Sequence, residues 1–365
     1  MAPRILLAGG GTGGHAIPAL AIAEAIQKKH EKSEFLFVGT ERGVEARVVP
    51  KAGFALELIS VISLSRSLNA SLLRFPFVLL KGFVESLMVV RRFKPHLTVC
   101  TGGYVSGPVG VAAALSGVPL AIHDSNVWPG ITLRLLSRVA ALVMLGFDEA
   151  HRKMGGCSIR TVGNPTRFAT SNVDPGVARA AFGLAANKRT LLIVGGSQGA
   201  RSINQAVACS LSRLVDQQIQ LLWQTGPVDH DRMSDVAKPY GEAVRTVAFI
   251  DEMPSAYRAA DLAVTRAGAM TITELNLYGV PAILVPLATA SENHQELNAR
   301  VMVDEGWARM ILQKDIDGDS LWAEVEMLLQ SRSLKEMAAK SLARGTGDAA
   351  DRIANELIEH DLLRI

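Results

Sequence analysis

The sequence predicts an α/β protein built from two doubly wound parallel sheets, and three observations carry that reading. Short apolar runs alternate with longer helical patterns along the whole chain, the signature of strands joined by crossover helices. The 365 residues exceed one comfortable core at about 150 residues per domain. Each half also opens with the same device of apolar strand, glycine turn and helix. Ile5-Leu6-Leu7-Ala8 runs into Gly9-Gly10-Gly11-Thr12-Gly13-Gly14-His15, and Leu191-Leu192-Ile193-Val194 runs into Gly195-Gly196-Ser197-Gln198-Gly199-Ala200. Such units are Rossmann-like.

The elements follow in order. In the first half the apolar runs fall at 5–8, 35–38, 56–59, 97–100, 120–122 and 142–145. In the second they fall at 191–194, 221–223, 244–248, 262–265, 282–285 and 310–312. Turn formers in Gly163-Asn164-Pro165-Thr166-Arg167 mark the joint, which gives domains 1–166 and 167–346. A last amphipathic helix, about 349–363, shows an apolar stripe of Ile353, Leu357 and Ile358 that could pack on either domain.

Composition narrows the class. With 48% apolar and 20% charged residues the chain is neither disordered nor fibrous. The net charge of +3 hides an asymmetry, since residues 1–166 hold 18 Lys and Arg against 10 Asp and Glu, and residues 167–365 hold 20 against 25. A mean hydropathy of +0.22 calls for a test for membrane spans. The most apolar stretch, 72–90, is interrupted by Arg74, Pro76, Lys81, Gly82 and Glu85, whereas a span needs about 20 nearly uncharged residues. No signal-peptide pattern opens the chain, so a cytosolic compartment is expected. Cys100, Cys157 and Cys209 are too widely spaced for a CxxC metal site.

Gly9, Gly11 and Gly14 satisfy the dinucleotide pattern GxGxxG, but the acid expected at the end of the second strand is missing, because that strand ends Val38-Gly39-Thr40 before Glu41. No lysine follows either, so the turn is not a P-loop. It offers backbone N–H groups at a helix N-terminus, with Pro18 expected in the first turn, and suits an anion or a crowded polar ligand. His15, at the start of that helix, can cap the turn or serve as a general base. Thr12, Asn126, Tyr104 and Ser106 follow strand ends on the same carboxyl edge, where open α/β sheets place ligands, although plain turns would also explain them.

In the second half, Gly268-Ala269-Met270-Thr271-Ile272-Thr273-Glu274 reads as a helix start. Thr271 and Glu274 stand at capping-box spacing, or else the free N–H groups hold a diphosphate while Glu274 accepts from two ribose hydroxyls. Ser197 offers a second phosphate contact, and Arg167 can neutralise its charge. Ile250 could hold a flat base through its backbone amide and carbonyl, or simply be core. Asp315-Ile316-Asp317-Gly318-Asp319 resembles a metal motif, but Ser320 stands where a calcium loop needs glycine and a helix follows, so no metal is assigned.

From 60 to 96, Arg66, Arg74, Lys81, Arg91, Arg92 and Lys94 face a single acid, Glu85. They surround Phe75, Phe77, Leu80 and Phe83, part of which is helix core. The remainder reads as an apolar patch with a basic rim, suited to an anionic membrane surface. Nucleic acid fits less well, because the cations lack interleaved stacking residues.

Taken together these motifs resemble the MurG family, bacterial enzymes that add N-acetylglucosamine to undecaprenyl-diphospho-N-acetylmuramoyl-pentapeptide. The resemblance spans nearly the whole chain: Gly10 to His15 with Pro18, Thr101 to Pro108, Gly163 to Arg167, Gly195 to Ala200, Arg266 to Glu274, and His294-Gln295 with Asn298-Ala299. It implies a GT-B architecture, two Rossmann-like domains facing a cleft, with a final helix (about 347–365) returning to the N-terminal domain. It also implies that UDP-N-acetylglucosamine, a substrate and not a cofactor, is held by Arg167, Ser197, Ile250, Ala269, Met270, Thr271, Ile272, Thr273, Glu274 and Gln295, completed by Thr12, Gly13, Gly14 and Asn126. His15 would take the proton from the muramoyl 4-hydroxyl, no metal or cofactor being required, with Tyr104 and Ser106 on the acceptor side. Peripheral attachment to the cytoplasmic face of the membrane is implied as well.

Three stretches depart from the family. His123-Asp124-Ser125-Asn126 stands where His-Glu-Gln-Asn is usual, Ile62 to Ser67 replaces a glycine-rich loop, and His294 replaces a glutamine found in some relatives. The competing readings are another GT-B transferase such as a diacylglycerol galactosyltransferase, a nucleotide-sugar-binding protein without catalysis, and an NAD-linked oxidoreductase. The missing ribose acid and the second glycine turn disfavour the last.

Overall fold

The computed structural model describes residues 2–61, 71–156, 158–167, 173–330 and 333–363, at 71–76 and 330 for the backbone alone. Ile62 to Ser67 therefore lie outside the described residues, as does the side chain of Phe75. The chain divides into two compact units, Met1–Arg167 with Asp348–Ile365, and Phe168–Gly347.

The first unit runs β1 (Arg4–Gly9), α1 (Gly13–Lys29), β2 (Glu34–Gly39), α2 (Glu45–Lys51), β3 (Ala55–Leu58), α3 (Ser71–Phe93), β4 (Leu97–Gly102), α4 (Ser106–Leu115), β5 (Leu120–Asp124), α5 (Ile131–Leu136), β6 (Leu142–Leu145) and β7 (Ile159–Thr161). Its strands are all parallel, in the order β3-β2-β1-β4-β5-β6-β7. The sheet order reverses at β1, so its carboxyl edge beside β4 is a switch point where such sheets bind ligands. The edge strand β7 is absent from the apolar pattern because it is only Ile-Arg-Thr, with two of its three side chains exposed.

The second unit runs α6 (Pro175–Ala181), β8 (Arg189–Val194), α7 (Arg201–Asp216), β9 (Ile219–Gln224), α8 (His230–Ala237), β10 (Val244–Val247), α9 (Met253–Ala259), β11 (Leu262–Thr265), α10 (Ala269–Tyr278), β12 (Ala282–Leu284), α11 (His294–Asp304), β13 (Ala308–Met310), α12 (Gly318–Gln330) and α13 (Ser333–Arg344). Its strands are again all parallel, in the order β10-β9-β8-β11-β12-β13, with β8 at the reversal. The first six strands of unit 1 follow the same winding.

Two apolar layers sandwich the first sheet. On one face Leu20, Ile22 and Ile26 of α1 pack with Ile5, Leu7, Leu97 and Val99. That cluster also takes Ile353, Ala354 and Leu357 of α14 (Ala349–Glu359), so the last helix completes the first unit. α14 is shorter than its apolar stripe suggests; the chain turns after it and buries Leu363 in the same cluster. On the other face α3, α4 and α5 cover Leu6, Ala8, Cys100 and Ile122 through Val89, Val90, Val109, Ala112 and Leu133.

Pro18 lies in the second turn of α1, not the first, where its missing N–H deprives the Gly14 carbonyl of its helical partner. Asp317 is a cap: its Oδ1 accepts from the amides of Asp319 (3.1 Å) and Ser320 (2.8 Å) as α12 begins. Among the described residues no helix is long and apolar enough to cross a membrane.

Candidate functional site

At the switch point of the first sheet, the turn after β1 meets the turn after β4. Thr12 is the extended residue before α1, and its carbonyl takes the amides of both His15 and Ala16 at 3.2 Å. His15 is gripped by Thr101 at two points: its Nδ1 lies 3.1 Å from the Thr101 carbonyl, and its own carbonyl accepts from Thr101 Oγ1 at 2.8 Å. A carbonyl can only accept, so Nδ1 carries a proton, and in the ring's neutral form the lone pair is the one on Nε2. The ring rests on glycine backbone, since a Cβ at Gly102 (φ +108) would lie 2.6 Å from His15 Nδ1.

Asp124 ends β5 beside this turn. Its Oδ1 accepts from the Asn126 amide (2.9 Å) and Nδ2 (3.3 Å), and its Oδ2 accepts from the Gly130 amide (2.9 Å). Burial raises the carboxyl's pKa, against the lowering pull of those amides and of charge on His15. Asp124 thus organises the loop carrying Asn126 and stands within electrostatic reach of His15. Next to it His123 is buried neutral, its pKa lowered to about 4 by desolvation, with Nε2 donating to the Gly163 carbonyl at 3.0 Å.

Two expectations change here. Ser106 is fully buried, with its hydroxyl spent on backbone: it accepts from the Gly102 amide (3.0 Å) and lies 2.9 Å from the Ala8 carbonyl and 2.8 Å from that of Gly102. It ties β1 to β4 and offers nothing to an acceptor. The glycine turn also differs from an anion site, because the Gly11 amide donates to Glu45 Oε2 at 2.8 Å. An N–H group already paired with a carboxylate does not receive a phosphate.

Tyr104 stays at the edge, its ring against Gly11 and its hydroxyl 3.4 Å from Thr40 Oγ1. Arg167, also in the first unit, forms a two-point ion pair with Glu24, at 3.2 Å from Nε and 2.7 Å from Nη2.

The second unit builds its site on β8, β11 and β12. The Gly195 to Ala200 turn packs backbone to backbone: a Cβ on Gly199 (φ +77) would lie 2.1 Å from the Thr225 carbonyl. Ser197 is exposed at its tip, just before α7. After β11, Gly268 precedes α10, and the first helical bond runs from the Ile272 amide to the Gly268 carbonyl at 3.0 Å. The amides of Ala269, Met270 and Thr271 precede that bond and face outward from the helix end. Because Thr271 lies inside the helix and Gly268 is the cap, the capping-box reading is set aside.

Glu274 is recessed one turn further on, where its Oε2 accepts from Tyr257 Oη at 2.7 Å. Burial pushes its pKa up to about 7. Three other groups are engaged internally. The Ile250 amide donates to Gln224 Oε1 (2.9 Å), so only the carbonyl remains of the pair assigned to a base. Thr273 Oγ1 donates to the Ala269 carbonyl (2.9 Å), and Gln295 Oε1 accepts from the Leu287 amide (2.9 Å). Ile272 is fully buried and contributes packing alone. Among the described residues no group of three or more His, Cys, Asp or Glu could hold a metal ion.

Similarity to known proteins covers both units. The glycosyltransferase family 28 N-terminal domain matches residues 5–145, and the family's C-terminal domain matches residues 190–353. The chain is 39% identical over 364 residues to the UDP-N-acetylglucosamine--N-acetylmuramyl-(pentapeptide) pyrophosphoryl-undecaprenol N-acetylglucosamine transferase of Desulfitobacterium hafniense (strain Y51), covering 98% of this chain and 99% of that protein. The chain belongs to the MurG family. The identically named Bacillus licheniformis transferase is 37% identical over 359 residues, covering 98% of each. The crystal structure of Acinetobacter baumannii MurG matches with a TM-score of 0.79 at 27% identity, over 98% of this chain and 100% of that one.

With MurG membership in hand, the motif-based recognition and the two-sheet fold class stand. The basic, apolar region falls on α3, whose outer side exposes Phe77 (75%), Leu80 (61%), Val84 and Met88, with Lys81 beside Glu85 at 3.6 Å. Phe83 leaves the expected patch, since it is half-buried against the core. Asp124, Glu45, Tyr257 and Gln224 are the contributors that sequence reasoning passed over; the last three are ordinary polar residues with a partner distant in the chain, and Asp124 reads as part of a plain turn.

Proposed function

We propose that this protein transfers N-acetylglucosamine from UDP-N-acetylglucosamine to the 4-hydroxyl of undecaprenyl-diphospho-N-acetylmuramoyl-pentapeptide, a step of peptidoglycan synthesis, at the cytoplasmic face of the membrane. The observation that carries the reading is identity of 36–39% with transferases so named, over both units. The site geometry supports the chemistry. His15, whose ring is held through Nδ1 by the Thr101 carbonyl, takes the proton of the attacking hydroxyl on Nε2 as that oxygen bonds to the sugar's anomeric carbon. The bond from that carbon to the diphosphate breaks on the opposite side, which inverts the configuration. A positioned base of this kind accelerates transfer by about 10²–10⁴-fold. Asp124 favours the imidazolium that forms.

The second unit holds the donor. Glu274 accepts from the ribose hydroxyls, the Ala269 to Thr271 amides and Ser197 meet the diphosphate, and the Ile250 carbonyl and Gln295 contact base and sugar. Arg167, exchanging Glu24 for phosphate, offsets the charge on departing UDP. Thr12, Gly13, Gly14 and Asn126 line the sugar side, and Tyr104 meets the acceptor. The exposed α3 surface rests on anionic lipid.

The deciding experiment is transfer of labelled N-acetylglucosamine to the lipid-linked muramoyl-pentapeptide, with diacylglycerol as the rival acceptor and with and without divalent metal. Product on the muramoyl lipid supports the proposal; product only on diacylglycerol, or none, ends it.

A further inference from the structure

Glu45 opens α2, and it looks like any first-turn acid on a helix. Its surroundings are different. The residue is 1% exposed, and its carboxylate is met by uncharged donors: Oε1 accepts from the Thr40 amide and hydroxyl, each at 3.0 Å, while Oε2 accepts from the Gly11 amide at 2.8 Å. The backbone makes room for it on three sides. A Cβ at Gly10 would lie 2.4 Å from Oε1, one at Gly39 would lie 2.4 Å from Cγ, and one at Gly43 would lie 2.1 Å from both oxygens. A buried carboxylate is retained against its desolvation cost only where its lone pairs are met. Here they are met by the turn leaving β1 and the turn leaving β2, adjacent strands of the sheet. Thr40 carries the chain onward to Tyr104 and the turn leaving β4.

We propose that Glu45 is a positioning residue of the transfer reaction. Its carboxylate locks the Gly11 amide, fixes how the chain enters α1, and so sets His15 Nε2 against the acceptor hydroxyl. The inference rests on His15 acting as the base. Glutamine at this position would turn an N–H toward either Gly11 or Thr40, donor against donor, while preserving volume.

The test uses the full chain. Glu45→Gln is expected to lower the single-turnover rate at saturating substrates at least tenfold, to leave donor KM and UDP affinity unchanged, and to raise hydrogen exchange at the Gly11 amide. Gly43→Ala, which displaces the carboxylate from a site outside the catalytic turn, is expected to lower the rate and raise the Gly11 exchange in the same way, again with donor KM and UDP affinity unchanged. If Glu45→Gln does not fold, Gly43→Ala and Thr40→Val carry the comparison. A folded variant with the wild-type transfer rate, or with unchanged Gly11 exchange, overturns the proposal, as does a loss confined to donor KM. Absence of transfer by the unaltered chain would instead sink the functional reading, and Gly11 exchange would still report whether the clamp exists.

Discussion

The Tyr257 hydroxyl donates a 2.7 Å hydrogen bond to Glu274, and the acceptor is a recessed carboxyl whose pKa burial has pushed up to about 7. This hydrogen bond favours the ionised form and burial opposes it more strongly. With Glu274 accepting from the ribose hydroxyls as proposed, donor binding should weaken as pH falls through the Glu274 pKa. UDP affinity measured by calorimetry should drop about tenfold between pH 8 and pH 6, one proton being taken up. Glu274→Gln should flatten that dependence, and Tyr257→Phe should move its midpoint to higher pH. A flat wild-type profile would remove Glu274 from the ribose.

The same carboxyl makes a statement about stability. A folded-state pKa raised from 4.5 to about 7 contributes stability that is fully present below the unfolded value and is lost as pH rises through 7. Glu274→Gln should therefore raise the melting temperature at pH 8 and change it little at pH 4, by calorimetry at the two values. Equal shifts at both would show that the side chain's burial, and not its ionisation, sets the difference.

Removal of the base is the direct test of the chemistry. His15→Ala should lower the single-turnover rate by about 10²–10⁴-fold while UDP binding persists. Full retention of the rate at saturating substrates would reassign the base.

Gly102 answers a narrower question. Alanine there would need φ near +108 and would drive its Cβ to 2.6 Å from His15 Nδ1. Gly102→Ala should cost about 1–3 kcal/mol of stability by denaturant unfolding, and the displaced ring should reduce transfer more than that loss explains. A fully active variant would mean that the ring tolerates displacement.

On α3, Phe77 and Leu80 stand outward beside Lys81. Replacing the three by Ser, Ser and Glu should reduce co-sedimentation with anionic vesicles more than with neutral ones, since about 1 kcal/mol per basic residue comes from the surface potential. Unchanged sedimentation would assign membrane contact elsewhere.

The strands and both glycine turns were legible because burial on two faces forces uninterrupted apolar runs, as at Ile5 to Ala8 and Leu191 to Val194. β7 was not, being an edge strand with exposed Arg160 and Thr161. Within the site, His15 and Glu274 could be singled out from turns and helix starts. What could not be read was which groups are already engaged. Ser106 and the Ile250 amide look available in one dimension, yet the fold directs them to backbone and to Gln224. Glu45 lies 34 residues from Gly11, and only the adjacency of β1 and β2 makes them partners.

The place of α14 bears on how the chain is made. Its Ile353, Ala354 and Leu357 close the apolar face of α1, yet the whole of Phe168–Gly347 is translated between the two. At about 5–20 residues per second the ribosome takes roughly 10–40 s to add that segment, and the face stays open throughout. The second unit can fold in that interval, and the first is sealed only once α14 has been translated. Chains cut short before α14 would carry a complete second unit and an open apolar flank on the unit that bears His15.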